Sequence, residues 1–273
     1  MIHPSAVVEQ GAQIDPSTEI GPFCYISANA KIGANCKLIA RVSILGNTTL
    51  GSGNVVFPGA TLGGGPQDHG NEFQPDAKLI IGDNNVIREN VTMHAGTPKG
   101  QTAINGETPE VLTTRVGSNG MFMVNSHIAH DCVVGDNVIM TNNAVIGGHV
   151  RLGDGVILGG NSAVHQFCRI GRKAMIGGMT GIGRDVIPFA MVTGDRGKLR
   201  GLNQIGMKRS GYDEHTVKSV VRAYMYIFKS NDSTFEERVE NAAVKFADNP
   251  MVMEQIAFIK EAMHSRRQVL VAE

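Results

Sequence analysis

The sequence contains no tryptophan, and aromatic residues make up only 5% of its 273 positions. Its 25 basic and 25 acidic residues cancel without any long block of like charge, which argues against sequence-independent binding of nucleic acid. No apolar run approaches membrane-spanning length, and the opening Met-Ile-His-Pro lacks the character of a signal peptide. These absences predict a soluble cytoplasmic protein with no integral membrane segment. Hydrophobic residues still make up 42% of the chain, enough to bury a large core.

What the sequence has instead is an aliphatic residue at every sixth position. The series runs from Ile2 to Leu62, returns over 81–93 and continues from Val116 to Ile182. A period of six fits neither an α-helix nor an ordinary strand, and it is typical of hexapeptide repeats, in which three short strands make one triangular coil. The pattern predicts a left-handed parallel β-helix, the handedness being that of the known architecture. Residues 18 apart should then stack one coil apart, at about 4.8 Å.

Two further slots of the hexad support this fold. Residues that tolerate the left-handed backbone of a tight corner recur in one slot, at Asn119, Asn125, Asp131, Asn137, Asn143, Gly155 and Asn161. The four cysteines occupy an inward slot, at Cys24, Cys36, Cys132 and Cys168. We expect these cysteines to be packing residues in a reducing compartment rather than disulfide partners.

The chain divides into two predicted domains. Residues 1–190 form the β-helix, and breaks in the period near 63–80 and 94–115 indicate loops ejected from it. Residues 191–273 form an irregular basic connector, up to about residue 210, followed by an α-helical domain.

Three helices are expected in this C-terminal region. An apolar stripe at helical spacing covers 217–228, Ser233-Thr-Phe-Glu236 has the form of a capping box, and Asn249-Pro250 resembles an N-cap followed by proline. We expect a packing or trimerisation element here, with a contribution to a ligand site as the alternative.

Polar residues gather where the repeat is least regular. Steps of 18 residues, one coil each, connect His130 with Gly148 and Asp131 with His149. We therefore expect one patch spanning three coils, made of His130, Asp131, Gly148, His149, His165 and Gln166.

These residue types predict acyl transfer. A neutral His130 would act as a base, Asp131 would fix the imidazole tautomer, and the backbone N–H of Gly148 would stabilise an oxyanion. Because Asp131 lies in a corner slot, a purely conformational role is the alternative for it. No serine or cysteine is recognisably activated, which favours direct attack by an acceptor hydroxyl on a thioester over a covalent acyl-enzyme.

Four segments carry a family resemblance: Asn-Ser-His-Ile-Ala-His-Asp-Cys (125–132), Ile-Gly-Gly-His (146–149), Ala-Val-His-Gln-Phe (163–167) and Gly-Leu-Asn-Gln-Ile-Gly-Met-Lys-Arg (201–209). They resemble the acyl-carrier-protein-dependent UDP-N-acetylglucosamine O-acyltransferases of lipid A biosynthesis, and the resemblance covers the whole chain. It implies transfer of a 3-hydroxyacyl chain from acyl carrier protein to the 3-position of the UDP-sugar. It also implies a homotrimer with active sites between neighbouring prisms, and neither cofactor nor metal.

The resemblance also implies roles for individual residues. His130 would be the general base, oriented by Asp131, and the N–H of Gly148 would hold the oxyanion. Gly178 would limit the acyl chain, with a preference for about 12 to 14 carbons or more, because each buried methylene adds roughly 0.8 kcal/mol. The implied substrate-binding positions are Gln67, Asp68, His127, His149, His165, Gln166, Asn203 and Arg209.

Two departures leave the acceptor open. Gly70 stands where family members often carry lysine, and Gln204-Ile205 stands where some carry an acidic residue. The acceptor is therefore either the 3-hydroxy or the 3-amino sugar.

Other classes of function remain as alternatives. A zinc lyase of the γ-carbonic anhydrase type would use His127, His130 and His149. An inactive scaffold or binding module is a further alternative. The N-acyltransferase of the same pathway is disfavoured, because it is expected to have an extra N-terminal domain, whereas this repeat starts at Ile2.

Acyl carrier proteins are acidic, so a basic docking surface is expected. Arg151 and Arg169 differ by 18 and should stack, with Arg172 and Lys173 one corner away and Lys198 and Arg200 of the connector nearby. Scattered solvated charges are the alternative.

Overall fold

The structure, a computed structural model, describes residues 1–69, 74–100, 110–265 and 268–270. The strands before the second ejected loop are β1 (Val7–Val8), β2 (Gln13–Ile14), β3 (Glu19–Ile20), β4 (Tyr25–Ile26), β5 (Lys31–Ile32), β6 (Lys37–Leu38), β7 (Ser43–Ile44), β8 (Asn47–Leu50), β9 (Val55–Val56), β10 (Thr61–Gly64), β11 (Lys78–Ile81), β12 (Val86–Ile87) and β13 (Thr92–His94).

The later strands are β14 (Thr113–Val116), β15 (Met121–Phe122), β16 (His127–Ile128), β17 (Val133–Val134), β18 (Ile139–Met140), β19 (Val145–Ile146), β20 (Arg151–Leu152), β21 (Ile157–Leu158), β22 (Ala163–Val164), β23 (Arg169–Ile170), β24 (Met175–Ile176), β25 (Gly181–Ile182), β26 (Ala190–Thr193) and β27 (Lys198–Leu202). The helices are α1 (Gln204–Arg209), α2 (Glu214–Lys229), α3 (Phe235–Lys245) and α4 (Pro250–His264).

From β1 to β25, every third strand joins the same sheet, which makes a left-handed triangular prism. The first sheet contains nine strands from β1 to β25, the second contains eight from β2 to β23, and the third contains ten from β3 to β27. The predicted register is confirmed, because His127 pairs in parallel with Val145 and Val145 with Ala163. We call the prism edge where the chain passes from the first to the second sheet the first edge. The second and third edges follow in chain order.

The six-residue period and the corner slot have the predicted structural roles. Inward aliphatic side chains such as Ile26 and Leu62 are fully buried. The corner residues have left-handed backbones, with φ of 59° at Asn119 and 55° at Asn161. All four cysteines are free and buried, and burial raises the pKa of the Cys132 thiol to about 12.

Both interruptions of the period leave the prism at the first edge. The first ejected loop connects β10 of the first sheet with β11 of the second, and the second ejected loop connects β13 with β14 in the same way. Strand pairing passes over them, since Thr61 pairs with Thr92 and Thr92 with His127. Both loops therefore leave and rejoin the prism on one side of the molecule.

The C-terminal region departs from expectation in two details. Residues 191–210 are not irregular: β26 and β27 form an antiparallel pair on the third sheet, and α1 follows. The capping box lies one residue later than predicted, because Thr234 Oγ1 accepts from Glu237 N at 3.2 Å while the Glu237 carboxylate accepts from Thr234 N at 2.9 Å. Asn249 does cap α4, with Pro250 in its first turn. None of the helices in the described ranges has the length and apolar character needed to cross a membrane.

The prism and the helices are joined by charge pairs, of which those of Arg169 are the more deeply buried. Arg169 stacks on Arg151 as predicted, but its side chain is only 4% exposed and bonds to Asp185 at 2.7 Å and to Glu261 of α4 at 2.6 Å. Arg172 bonds in the same way to Glu254 of α4 at 2.7 Å. The expectation that Arg169 and Arg172 form an exposed docking surface is therefore wrong, because both guanidinium groups are engaged by acidic side chains of the same chain.

We predict that Arg169→Met lowers the free energy of unfolding by about 3–5 kcal/mol, because it leaves two carboxylates without their buried partner. Arg172→Met is the matched control. The Arg172–Glu254 pair is about one third exposed, and such a pair contributes about 1 kcal/mol or less. Urea unfolding of both variants measures the difference, and equal losses would contradict the fastening role of Arg169.

Candidate active site

The centre of the site is a histidine–aspartate pair on the first edge, between β16 and β17. Asp131 has the left-handed φ of 58° that the corner requires, and its N–H donates to Thr114 Oγ1 at 2.8 Å. This turn directs its carboxylate to His130, whose Nδ1 lies 2.8 Å from Asp131 Oδ2. An ionised carboxylate only accepts hydrogen bonds, so Nδ1 carries a hydrogen, and in the neutral imidazole Nε2 then has the lone pair. The geometry of Asp131 therefore fits both roles, a conformational one at the corner and an orienting one toward the imidazole of His130.

Asp131 is held in its charged form although its side chain has no solvent exposure. Burial by itself would raise the pKa of the carboxyl group, but hydrogen bonds from His130 and Thr97 hold the pKa below its usual value. Thr97 N donates to Oδ1 at 2.8 Å and Thr97 Oγ1 donates to Oδ2 at 2.6 Å. Thr97 lies at the start of the second ejected loop.

Gly148 lies directly against His130 on the next coil. A Cβ at Gly148 would lie 2.6 Å from His130 Cε1 and 2.7 Å from Nε2, so only glycine leaves room for the imidazole. The Gly148 N–H donates to no acceptor in the part of the chain that the structure describes. A basic ring nitrogen and an unused backbone donor are therefore neighbours.

His149 supports the pair from the same coil as Gly148. Its Nε2 lies 3.7 Å from Asp131 Oδ2, and its ring stacks on Phe167 with centroids 4.5 Å apart. Burial lowers the pKa of His149, and the charge of Asp131 partly offsets this effect. His149 is therefore mainly a neutral hydrogen-bonding group.

A second pair of histidines lies on the first sheet beside this group. His127 Nδ1 bonds to Thr92 Oγ1 at 2.8 Å, and its ring contacts that of His94 edge to face, with centroids 4.8 Å apart. Burial, followed by the charges of His127 and His130, lowers the pKa of His94 to about 4. Burial, followed by the charge of His130, also lowers the pKa of His127.

The structure brings most of the predicted patch together. His165 and Gln166 lie on the first edge one coil beyond Gly148, where both are exposed. Gln67 and Asp68 lie in the first ejected loop, and Asp68 is linked to Lys99 of the second loop at 3.4 Å. Gly70, a predicted departure from the family pattern, lies outside the described residues.

Three predicted residues lie on other edges of the same chain. Asn203 is on the second edge, where its Nδ2 donates to Lys173 O at 3.3 Å and its Oδ1 caps α1. Arg209 ends that helix and is exposed. Gly178 lies on the third edge, where an added Cβ would meet Gly160 O at 3.3 Å. A single chain therefore does not place these residues beside His130.

Sequence reasoning missed several contacts of the site. His94 takes the slot usually held by glycine, which is the deviation that singled out His165, so the same signal would have found it. Thr97 and Lys99 lie where the period is broken, and spacing says nothing about where such a loop returns. Phe167 lies in a corner slot with φ of 67°, and only the neighbouring coil shows that it covers His149.

The site has spacing that would suit a metal ion, but its hydrogen bonding points elsewhere. Within the described ranges, the ligand atoms of His130, Asp131 and His149 lie within 4.8 Å of one another. The Asp131 oxygens already accept from Thr97 and His130, and His127 of the predicted lyase triad is not in this group. The Cys132 thiol, with its raised pKa, is a poor nucleophile. The arrangement suits base catalysis with stabilisation of an oxyanion.

Known proteins are similar to this chain in sequence and in structure. A family model described as UDP-N-acetylglucosamine O-acyltransferase, domain 2, matches residues 185–270. The chain is 48% identical over 258 residues to the acyl-[acyl-carrier-protein]–UDP-N-acetylglucosamine O-acyltransferase of Mesorhizobium japonicum, covering 94% of this chain and 88% of that protein. It is also 48% identical over 215 residues to the protein of the same name from Caulobacter vibrioides, covering 79% and 77% of the two chains.

A solved structure agrees over nearly the full length. The UDP-N-acetylglucosamine O-acyltransferase from Moraxella catarrhalis RH4 superposes with a TM-score of 0.89 at 37% identity, covering 98% of this chain and 99% of that one. The similarity therefore includes both the prism and the helices.

We predict that His94 makes folding stability depend on pH. Below pH 6.5 the unfolded chain protonates this histidine, whereas the folded protein keeps it neutral down to about pH 4, so stability falls as the pH drops through this window. Between pH 7 and pH 5 the effect is about 2 kcal/mol. His94→Gln should remove that part of the pH dependence in urea unfolding, with His215→Gln, at an exposed histidine, as the control. An unchanged pH dependence in His94→Gln would contradict the prediction.

Proposed function

The chain belongs to the family of acyl-[acyl-carrier-protein]–UDP-N-acetylglucosamine O-acyltransferases, and we propose that it transfers a 3-hydroxyacyl chain from acyl carrier protein to the 3-position of UDP-N-acetylglucosamine. The observation that carries this proposal is that two catalytically useful groups lie next to each other. The His130–Asp131 pair supplies a base, and the Gly148 N–H beside its ring has no other acceptor among the described residues.

The reaction follows from these two groups. His130 Nε2 takes the proton of the sugar hydroxyl while the hydroxyl oxygen attacks the thioester carbonyl carbon. The carbonyl electron pair moves onto oxygen, and the Gly148 N–H stabilises this oxyanion. When the tetrahedral intermediate collapses, the carbon–sulfur bond breaks, and the imidazolium returns its proton to the leaving thiolate. Asp131 stabilises the imidazolium in between.

The surroundings favour direct transfer over a covalent acyl-enzyme. The nearest thiol, Cys132, is fully buried, and its Sγ contacts Gly147 O at 3.2 Å. Burial raises its pKa to about 12, so the thiolate is scarce near neutral pH. Base-assisted attack by the acceptor needs no protein nucleophile.

The positions of the remaining residues support an active site shared between protomers. Asn203 and Gly178 lie on prism edges other than that of His130. If all three act on one substrate, the second and third edges must come from a neighbouring chain. A homotrimer, in which the first edge of each prism faces the second and third edges of its neighbours, satisfies this condition.

The acceptor sugar is the finer part of the proposal. The 3-hydroxy sugar is our first choice, with the 3-amino sugar as the alternative. The test is incubation with a panel of 3-hydroxyacyl carrier proteins and both UDP-sugars, with product identification by mass spectrometry. Transfer that continues in EDTA is expected, and activity that depended on stoichiometric zinc would favour the lyase instead. No acylated sugar from either acceptor would refute the proposal.

We predict that His130→Ala lowers turnover by about 10²–10⁴-fold or more while the protein stays folded, because a positioned base is lost. Asp131→Asn should reduce turnover less, because asparagine keeps the corner conformation and only the charge is lost. Steady-state kinetics and thermal melts on both variants measure this order. More than one tenth of wild-type turnover in His130→Ala would contradict the assignment.

We predict that Gly178→Met shifts the acyl preference to shorter chains, because its side chain would project from the exposed third edge into the groove between prisms. Each methylene excluded from the groove costs about 0.8 kcal/mol of binding. Competition among carrier proteins with different acyl chains gives the profile. Turnover on the shortest accepted chain is the control for intact His130 chemistry, and an unchanged profile would show that Gly178 does not limit the chain.

A further inference from the structure

The second ejected loop reaches back into the site at Thr97. Thr97 has no solvent exposure, and it donates to both oxygens of the Asp131 carboxylate, from its N–H at 2.8 Å and from its hydroxyl at 2.6 Å. His130 Nδ1 donates to Oδ2 from the other side at 2.8 Å. The carboxylate is therefore held between a threonine of the loop and the imidazole of the base.

The backbone of Thr97 is itself fixed. Its carbonyl oxygen accepts from Gly100 N and from Leu112 N, both at 3.0 Å, so the two arms of the loop meet at this residue. The preceding Gly96 N–H donates to Lys78 O at 3.2 Å. Because the Thr97 backbone is fixed, its two donors cannot move with a rotating carboxylate. They therefore hold the Asp131 carboxylate in one orientation.

We propose that Thr97 is a positioning residue for the transfer reaction: its hydroxyl and N–H lock the Asp131 carboxylate toward His130 and thereby keep the imidazole hydrogen on Nδ1. The inference rests on the proposed function, in which Nε2 of His130 is the base. Thr97 acts through Asp131 and does not touch the reacting atoms. The loop that leaves the repeat thus completes the catalytic pair of the repeat.

The charged and titratable groups that face Asp131 define what should change when the hydroxyl is lost. They are His130 on its own coil, His149 on the next coil at 3.7 Å and the Cys132 thiol, while Lys99 of the loop acts on His149. The Thr97 hydrogen bonds lower the pKa of Asp131, so removal of the hydroxyl raises it. As the pH falls, the variant should therefore lose the activity that needs the ionised carboxylate at a higher pH than the wild type does.

The experiment compares Thr97→Val with two matched variants. Thr97→Ser keeps both donors. Thr48→Val makes the same chemical change at another fully buried threonine, whose hydroxyl donates to Leu45 O at 2.7 Å and makes no contact with Asp131 or His130. We expect Thr97→Val to lower kcat by about tenfold or more, with the acid limb of the kcat profile moved to higher pH. We expect Thr97→Ser and Thr48→Val to keep the wild-type acid limb.

A double-mutant cycle tests whether Thr97 acts through Asp131. In the Asp131→Asn background, Thr97→Val should lower kcat by less than about twofold, because the group it positions is already altered. Multiplicative losses would overturn the proposal, as would a Thr97→Val enzyme with wild-type kcat and an unchanged acid limb. Thermal melts show whether each variant is folded. If Thr97→Val does not fold, the test passes to Thr97→Ser, which must keep the wild-type pH profile of kcat.

A measurement without substrate separates this inference from the proposed function. The ¹⁵N chemical shifts of labelled His130 report which ring nitrogen carries the hydrogen. Wild type and Thr97→Ser should show the Nδ1–H form, and Thr97→Val a mixture of the two tautomers. A pure Nδ1–H form in folded Thr97→Val would refute the role of Thr97, even if no acyl transfer were found in the wild type.

Discussion

Backbone hydrogen bonds between successive coils are the interaction on which the rest of this structure depends. Most strands are only two residues long, too short to be stable alone, and each is held by the coils above and below, as Val7 N is by Cys24 O at 2.8 Å. This stacking requires every coil to turn at the same three edges. The aliphatic period and the left-handed corners both follow from that requirement.

The same stacking lets the first edge carry chemistry. Three successive corners hold Asp131, His149 and Phe167, with φ of 58°, 62° and 67°, where asparagine is the usual residue. A left-handed backbone is costly for a bulky side chain and persists only where the surroundings over-determine it. The neighbouring coils provide that support, so side chains chosen for function can replace those chosen for the turn. The result is a column made of a carboxylate, an imidazole and a phenyl ring.

Much of the fold and part of the site could be predicted from the repeat. Once the period was recognised, steps of 18 residues placed Gly148 against His130 and His149 near Asp131, as the structure shows. Predictions failed where the repeat ends. The basic residue Arg169 was expected at the surface, yet α4 covers it and supplies Glu261 as its partner. A helix that packs on the prism from a distant part of the chain leaves no trace in a six-residue pattern.

The sequence by itself determined the prism, its register, its corners and the edge on which the polar residues gather, because each depends on contacts at a fixed spacing along the chain. Only the tertiary structure decided that Thr97 returns to clamp Asp131, that Lys99 reaches Asp68, and that Asn203 lies on the second edge, away from His130. These relations depend on how ejected loops and packed helices close in space. Loop closure and packing between distant segments follow no period, so they cannot be read from spacing.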